Sequence, residues 1–549
     1  MKLNYRRTIC VGFAFFLICA FWQAYDNTIP MILTNKFGMS QTWSGLIMAL
    51  DNILALFLLP LFGAISDKST HRLGRRTPFI LYGTIIAVVA FLLLSLVDGF
   101  QLRHLREVSA VDDPAALAVI YDAEAGEVLQ SPDGKWFILN EIFTKDEFTE
   151  IRSKGEAPRA PYGTLADVEA APEVNPDYTD YVVPARQAYA RQVTSAHPST
   201  LILFIALLLI ILVAMATFRS PAVALMPDVT IKPLRSKANA VINLMGSAGG
   251  ILVLALGMVF ATGSLQNALM SYRAYFAVIA AVMLIALLLF KLTVKEKQFV
   301  EDMEEESCRF GLTDGEEDIP AGSDSDPEET FEDGKVRVAK SGETLAGHKR
   351  AAHRSLIFIL ISIVLWFAGY NAVTSKYSVY ATTILNKDYN MTLIIAQLAA
   401  ILSYLPVGMI ASRIGRKKTI LAGVVMLSAA FAVAAFMRAG SPTPLMNAMF
   451  ALAGIAWATI NVNSFPMVVE MCSSAEVGKY TGYYYTASMA AQVITPILSG
   501  FLMDKMGMTV LFPYAVFFTG CAFVTMTLVR HGDSRPIAKK GLEAFEDLD

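Results

Sequence analysis

The chain has 549 residues, of which 55% are hydrophobic and 17% charged, and its mean hydropathy is +0.49. That balance is too apolar for a soluble enzyme of this length and indicates a membrane protein. A net charge of -3 gives no basic excess that would call for nucleic acid, and five scattered cysteines (Cys10, Cys19, Cys308, Cys472, Cys521) lack metal-ligand or disulfide-framework spacing.

A bilayer core needs about 20 apolar residues per helix. Apolar runs predict twelve helices, near 8–34, 42–66, 78–97, 199–226, 238–262, 274–293, 355–380, 391–411, 418–437, 444–466, 480–502 and 509–529. The start of the chain mimics a secretory signal, but the run continues past Pro30 without a small-residue cleavage site, so it reads as a retained first helix. Lys and Arg gather in one set of short loops (Lys2, Arg6, Arg7; Lys68 to Arg76; Lys232 to Lys237; Arg413 to Lys418; Arg530 to Lys540), which places both termini in the cytoplasm. The expected order is then helices 1–3 over 1–97, an acidic extracytoplasmic insertion over 98–198, helices 4–6 over 199–293, a disordered acidic cytoplasmic linker over 294–354, a second six-helix bundle over 355–530 and a tail over 531–549. The insertion contains the turn-and-strand text Ser131-Pro-Asp-Gly-Lys-Trp-Phe-Ile-Leu139 and reads either as a small folded cap or as a partly ordered loop. The linker, with Glu304-Glu-Glu306 and Asp314-Gly-Glu-Glu-Asp318, has too few apolar residues to bury a core.

The two helical blocks repeat. At an offset of 345, Tyr370 falls on Tyr25, Asn371 on Asp26, Ala400 on Ala55, Gly408 on Gly63 and Ile410 on Ile65, and Leu73-Gly-Arg-Arg76 matches Ile414-Gly-Arg-Lys417 just beyond. Duplicated halves packed around a midplane site are a common carrier design. The fold class expected is an all-α integral membrane protein of twelve transmembrane helices in two pseudo-symmetric six-helix bundles.

Gly63-Ala-Ile-Ser-Asp67 followed by His71-Arg-Leu-Gly-Arg-Arg76 resembles the signature loop between helices 2 and 3 of the major facilitator superfamily, and Gly408 to Lys418 resembles its second copy. The stretch Ser66 to Phe79, and Ser220-Pro-Ala-Val-Ala-Leu-Met-Pro-Asp228 near the end of helix 4, are similar to sucrose-type and glycoside-pentoside-hexuronide sugar carriers. The likeness covers all twelve spans and neither long insertion. It implies the major facilitator fold and sugar:cation symport, with departures. Val223 stands where sucrose-type carriers have an arginine, the nearest being Arg219, which argues against sucrose itself. Melibiose-type carriers place paired aspartates four apart in helix 2; Asp51 matches the first and Ala55 replaces the second, which argues against a sodium site of that design.

Charged groups inside a bilayer are expensive and usually face a wet pathway. Asp26 lies in helix 1 with Trp22, Gln23, Tyr25 and Asn27, an aromatic and polar surface suited to a sugar, whose hydroxyls take carboxylate or amide partners and whose C–H face packs on rings. Pro30 removes the amide that would bond the Asp26 carbonyl. Asp26 pairing only with Lys376 is the plain structural alternative. Tyr370, Asn371 and Lys376 on helix 7 and Gln397 on helix 8 are candidates to complete the binding site, whereas Asn243, Asn461, Asn463 and Gln492 read as helix-stitching amides and Gly246-Ser-Ala-Gly-Gly250 as a close-packing run. Asp51, the other embedded carboxylate, joins Asp26 as a cation-coupling candidate. Asp67, Arg72, Arg75, Arg76 and Arg416 in the signature loops, with the pairs Asp228–Arg235 and Glu470–Lys479 after helices 4 and 10, are the gating candidates.

No nucleotide-binding loop, metal cluster or nucleophile motif is present in the sequence, so no enzyme activity, cofactor or metal is expected. The reading that results is a monomeric plasma-membrane carrier, surrounded by lipid, that moves a sugar or glycoside inward with a proton (sodium being less favoured) by alternating access. An exporter of small amphiphiles, or a non-transporting receptor using the insertion as a ligand cap, are the alternatives.

Overall fold

The computed structural model describes residues 3–110, 113–156, 175–231, 234–309, 345–469, 471 and 477–530. Three long helices open the chain: α1 (Tyr5–Asn35), α2 (Gln41–Asp67) and α3 (Thr77–His104). The insertion follows with α4 (Arg106–Ser109), α5 (Pro114–Glu124), β1 (Val128–Gln130), β2 (Trp136–Ile138), α6 (Leu139–Ile142), α7 (Lys145–Gly155) and α8 (Val183–Ala196). Then come α9 (Pro198–Asp228), α10 (Arg235–Val259), α11 (Arg273–Thr293), α12 (Glu296–Arg309), α13 (Leu345–Tyr380), α14 (Tyr389–Ile414), α15 (Arg416–Ala435), α16 (Thr443–Val469), α17 (Val477–Met506) and α18 (Leu511–Thr527). Among the described residues, 11 helices are long and apolar enough to cross a membrane, and α14 supplies a shorter apolar helix over Tyr389–Tyr404. Lipid offers no hydrogen bonds to a bare backbone, so these apolar runs must be helical.

In the first bundle α1 packs on α10 and α11, α3 on α9 and α11, and α2 on α9, around Phe21, Phe91, Phe218 and Phe276. The close-packing run in α10 does what its composition suggests: a Cβ on Gly249 would stand 2.6 Å from the Phe16 carbonyl oxygen of α1. In the second bundle α13 packs on α17 and α18, and α16 on α14 and α15, around Trp366, Tyr377, Phe431 and Phe512. The halves meet along α2 and α17, α1 and α13, and α10 and α14. The end of the bundle where α1 begins is called here the terminal face, and the opposite end, where α3 leaves for the insertion, the insertion face.

Of the two possibilities for the insertion, its described residues form the folded cap. Ile120, Leu129, Phe137, Phe148, Tyr178 and Val182 make its core, joined by Leu265 from the α10–α11 connection. β1 and β2 pair antiparallel as a hairpin over the turn-and-strand text, with Gln130 opposite Trp136. Arg152 is buried and makes four hydrogen bonds, donating to Glu156 at 3.0 Å, to the carbonyls of Ala116 and Leu117 at 2.8 Å, and to that of Val108. Such pairing offsets the cost of burying a guanidinium.

The cap is rooted in the first bundle. Lys36, just past α1, pairs with Asp98 of α3 at 2.5 Å with both side chains fully buried, and also donates to the Met270 carbonyl at 2.8 Å. Gln187 donates to Asn35 at 3.1 Å and Arg191 to the Gly38 carbonyl at 3.2 Å.

The two described ends of the 294–354 stretch are helical, where its composition predicted a disordered linker. Its beginning is the helix α12, and its end is the first part of α13; residues 310–344 and the tail 531–549 lie outside the described residues. Sequence composition missed the reason, which is tertiary: Glu296, 2% exposed, is tied to the start of α3 as described below.

Candidate functional site

A cavity of about 390 Å³ lies between the halves. The first bundle lines it with Gln23, Asp26, Asn27 and Ser247; the second contributes Tyr370, Thr374, Tyr377, Gln397, Tyr404, Trp457 and Asn461. Asp26 is solvent-accessible although it sits deep in α1, because it faces this cavity. Asn27 is oriented by donating to the Gln23 carbonyl at 2.8 Å. Gln23 and Gln397 approach each other from opposite halves across Gly250, where the space of a Cβ would lie 3.3 and 3.2 Å from their amides. The opposite wall is aromatic: Tyr370 and Trp457 stack with centroids 3.6 Å apart and planes 3° from parallel, and Phe367 meets Trp457 edge-on at 5.1 Å.

Five of the nine sequence candidates for solute binding therefore line one cavity: Gln23, Asp26, Asn27, Tyr370 and Gln397. The other four do not. Trp22 packs against Phe21 and Tyr25, and Tyr25 is fully buried behind it. Asn371, next to Tyr370, turns its amide nitrogen into a buried position without a partner among the described residues. Lys376 pairs with neither Asp26 nor the cavity; its ammonium donates to the Gln41 carbonyl at 2.6 Å and is fully buried.

Behind the cavity lies a charged cluster. Asp51 of α2 accepts from Asn52 at 2.8 Å. Arg219 of α9 lies 5.8 Å from the Trp22 ring, and its charge reaches both Asp26 and Asp51. Arg219 and Trp457 were missed as site residues, though each left a sequence signal: an arginine inside an apolar span is costly unless used, and Trp457 precedes Asn461 by one helical turn.

On the insertion face the halves are joined. Asp504 of α17 accepts the N–H groups of Gln41 and Thr42 at 2.8 Å and the Thr42 hydroxyl at 2.5 Å, capping α2 from across the interface. A carboxylate there satisfies donors that the first turn of a helix leaves open. Lys376 completes this seam from α13. Thr262, just past α10, meets Tyr389 at 2.9 Å and Asn390 at 3.2 Å at the start of α14, and Thr382, just past α13, reaches Met31 of α1 at 3.6 Å.

On the terminal face the signature-loop charges bind within one half. Arg76 pairs with Asp67 at 2.5 Å and Asp228 at 2.9 Å, and donates to Ser66 at 2.5 Å; Arg75 adds a 3.4 Å contact to Asp228. The ends of α2, α3 and α9 are thereby one unit. Asp228 does not pair with Arg235, which instead binds the carbonyls of Thr230 and Pro227 at 3.2 and 3.0 Å. Arg72 is exposed, whereas Arg416 is buried. Glu470 lies outside the described residues, as does the side chain of Lys479. Glu296, which sequence reasoning did not single out, accepts the N–H groups of Arg75, Arg76 and Thr77 at 2.6, 2.9 and 2.7 Å and the Thr77 hydroxyl at 2.7 Å. It is the anion at the α3 N-terminus.

The family model described as Major Facilitator Superfamily matches residues 189–398 and 386–546. The chain belongs to the major facilitator superfamily. A model described as MFS/sugar transport protein matches residues 10–102, the part that carries Asp26, Asp51 and the signature loop. No curated protein matches the sequence. Among solved structures, a bacterial homologue of the iron transporter ferroportin in an inward-facing state is 12% identical with a TM-score of 0.54, covering 96% of this chain and 99% of that one. The xylose transporter XylE from E. coli is 14% identical with a TM-score of 0.52, covering 98% of both chains. A D-xylose-proton symporter is 14% identical with a TM-score of 0.50, covering 95% of this chain and 97% of that one. At these identities the likeness is one of fold. The superfamily's members are membrane transporters, and this chain is a multi-pass membrane transporter rather than an enzyme.

Proposed function

We propose that this transporter imports a sugar or glycoside together with a proton by alternating access across the plasma membrane, with both termini in the cytoplasm. One observation carries the reading: a single cavity of about 390 Å³ joins the Asp26 carboxylate, backed by Asp51 and Arg219, to the stacked Tyr370–Trp457 surface. That volume suits a small-molecule site. Its two walls meet the two needs of a sugar: Gln23, Asp26, Asn27 and Gln397 take hydroxyls, and the ring pair takes the C–H face.

Asp26 and Asp51 are two carboxylates in the apolar spans of the first half against one guanidinium, Arg219, which leaves one negative charge without a counter-charge in the bilayer, where such a charge is expensive. A proton on one of them neutralises it. Asp26 touches solute and couples it; Asp51 shares the proton. Ala55 supplies no second carboxylate on α2, so proton rather than sodium is the coupling ion. The sugar-transport family model over 10–102 and the resemblance of Ser66 to Phe79 support the same solute class. Asp67, Arg76 and Asp228 move the ends of α2, α3 and α9 together as the halves rock, and the sequence offers Arg72, Arg75, Arg235, Arg416, Glu470 and Lys479 as further charges for the cytoplasmic gate.

The test uses de-energised cells expressing the protein, with medium pH recorded while a panel of mono- and disaccharides is added. Alkalinisation by a sugar, absent in Asp26→Asn and in Asp51→Asn, is the expected result. Silence across the panel, with surface expression confirmed, rejects proton-coupled sugar import.

A further inference from the structure

The insertion does more than sit on the first bundle. Its hairpin tip, between β1 and β2, reaches the second bundle at the turn between α17 and α18. The Met508 N–H donates to the Pro132 carbonyl at 2.6 Å. Beside this bond two glycines face each other. A Cβ on Gly134 would stand 2.4 Å from the Met506 carbonyl oxygen, and one on Gly507 would stand 2.4 Å from the Gly134 nitrogen. Both have positive φ, +92° and +91°, so each turn is built around a residue without a side chain, and the two backbones touch. The tip is held in shape from within: Ser131 N–H donates to the Lys135 carbonyl at 2.8 Å, Gly134 N–H to the Ser131 carbonyl at 2.9 Å, and Lys135 pairs with Asp133 at 2.6 Å.

The two ends of this connection belong to different halves. Through Gln101–Thr194 at 2.9 Å, Gln187–Asn35 and Arg191–Gly38 the cap is fixed to α3 and the end of α1. The α17–α18 turn belongs to the second half and follows Asp504, which caps α2. Opening the insertion face moves α17 away from α2. A cap that travels with the first half must then release the α17–α18 turn.

We infer that the insertion is a strap whose hairpin tip, residues 131–134, grips the turn at residues 506–508 and holds the insertion face shut. The inference rests on the alternating-access reading above. It does not rest on the identity of the solute. In the import reading the strap favours the state that releases solute to the cytoplasm, and each cycle must undo it before new solute enters.

The experiment is read by thiol labelling, which needs no substrate. In full-length protein with its five cysteines replaced by serine, Ser44→Cys reports on the insertion face, because Ser44 is fully buried on α2 where the neighbouring Gly45 meets Pro496 of α17. Thr374→Cys in the cavity, labelled from the terminal face, reports on the other side. Gly134→Val disturbs the grip from the cap, and Met508→Pro removes its hydrogen-bond donor from the second half while leaving the cap untouched. The expected result in both variants is a several-fold faster reaction of Ser44→Cys with an impermeant thiol reagent and a slower reaction of Thr374→Cys. Unchanged labelling at Ser44→Cys in both variants overturns the strap. A parallel rise at both reporters, the mark of a loosened protein, overturns it as well. Failure of the sugar panel in the parent protein strikes the solute reading and leaves this labelling readout intact.

Discussion

The two halves share a fold and divide the chemistry. In the first, charge is arranged in depth: Lys36 with Asp98 near the insertion face, Asp26, Asp51 and Arg219 at mid-height, and Arg76 between Asp67 and Asp228 at the terminal face. At the equivalent mid-height, the second half offers rings and amides: Tyr370 on Trp457, with Gln397 and Asn461. The repeat itself shows the divergence, because Tyr370 and Asn371 occupy the places of Tyr25 and Asp26. One copy kept a carboxylate at the cavity and the other an aromatic face. Under the function proposed above, the coupling ion falls to one half and the solute's apolar face to the other.

The sharpest way to break this division is Asp26→Asn. Uphill accumulation of solute in vesicles is expected to fall to background while downhill exchange persists. Retained uphill uptake would return the coupling to another residue. Next in size is Lys36→Ala, which leaves Asp98 buried and unpaired. A loss of about 3–5 kcal/mol is expected, read as a lower midpoint in thermal unfolding of the purified protein. An unchanged midpoint would mean that water reaches Asp98.

Trp457→Ala tests the aromatic half. Losing one stacked ring is expected to cost about 0.5–1.5 kcal/mol, or roughly two- to twelvefold in apparent solute affinity, with the proton dependence unchanged. Trp457→Phe should recover most of it. If the proton dependence moves as well, the two halves do not divide the work.

The smallest effect concerns Glu124 in the cap. Burial, then the like charge of Glu127, push its carboxyl above the usual range, against the pull of Arg191. A carboxyl raised in the folded state is destabilising when ionised, and that penalty vanishes once pH is low enough to protonate it both folded and unfolded. Glu124→Gln is therefore expected to raise the unfolding temperature of the cap slightly at pH 7 and not at pH 3, as followed by circular dichroism. A fall at pH 7 would show that the ionised form is held by partners.

Much of the scaffold was legible because bilayer cost acts on each residue separately. Pro30 lies within α1 and Gly415 divides α14 from α15, as the apolar runs and the repeated loop suggested. The site was legible in part, for the same reason: a carboxylate such as Asp26 is conspicuous in an apolar run. Lys376 is the counterexample. Its charge marked it as functional, yet its partner is the Gln41 carbonyl on a helix of the other half. Helical spacing within α13 carries no information about that neighbour. Glu296 shows the converse, since an acidic linker conceals one carboxylate that three backbone amides require.

By itself the sequence determined the spans, their duplication, the signature loop and the presence of costly polar groups in the membrane. These follow from length, hydropathy and local spacing, and each can be evaluated without knowing which helices are neighbours. Only the tertiary structure decided the pairings: Asp228 with Arg76 rather than Arg235, Asp504 with the start of α2, Trp457 against Tyr370, and the tip at Gly134 against the turn at Gly507. Hydrogen bonds and ring contacts act over a few ångströms, so they depend on which distant segments packing brings together.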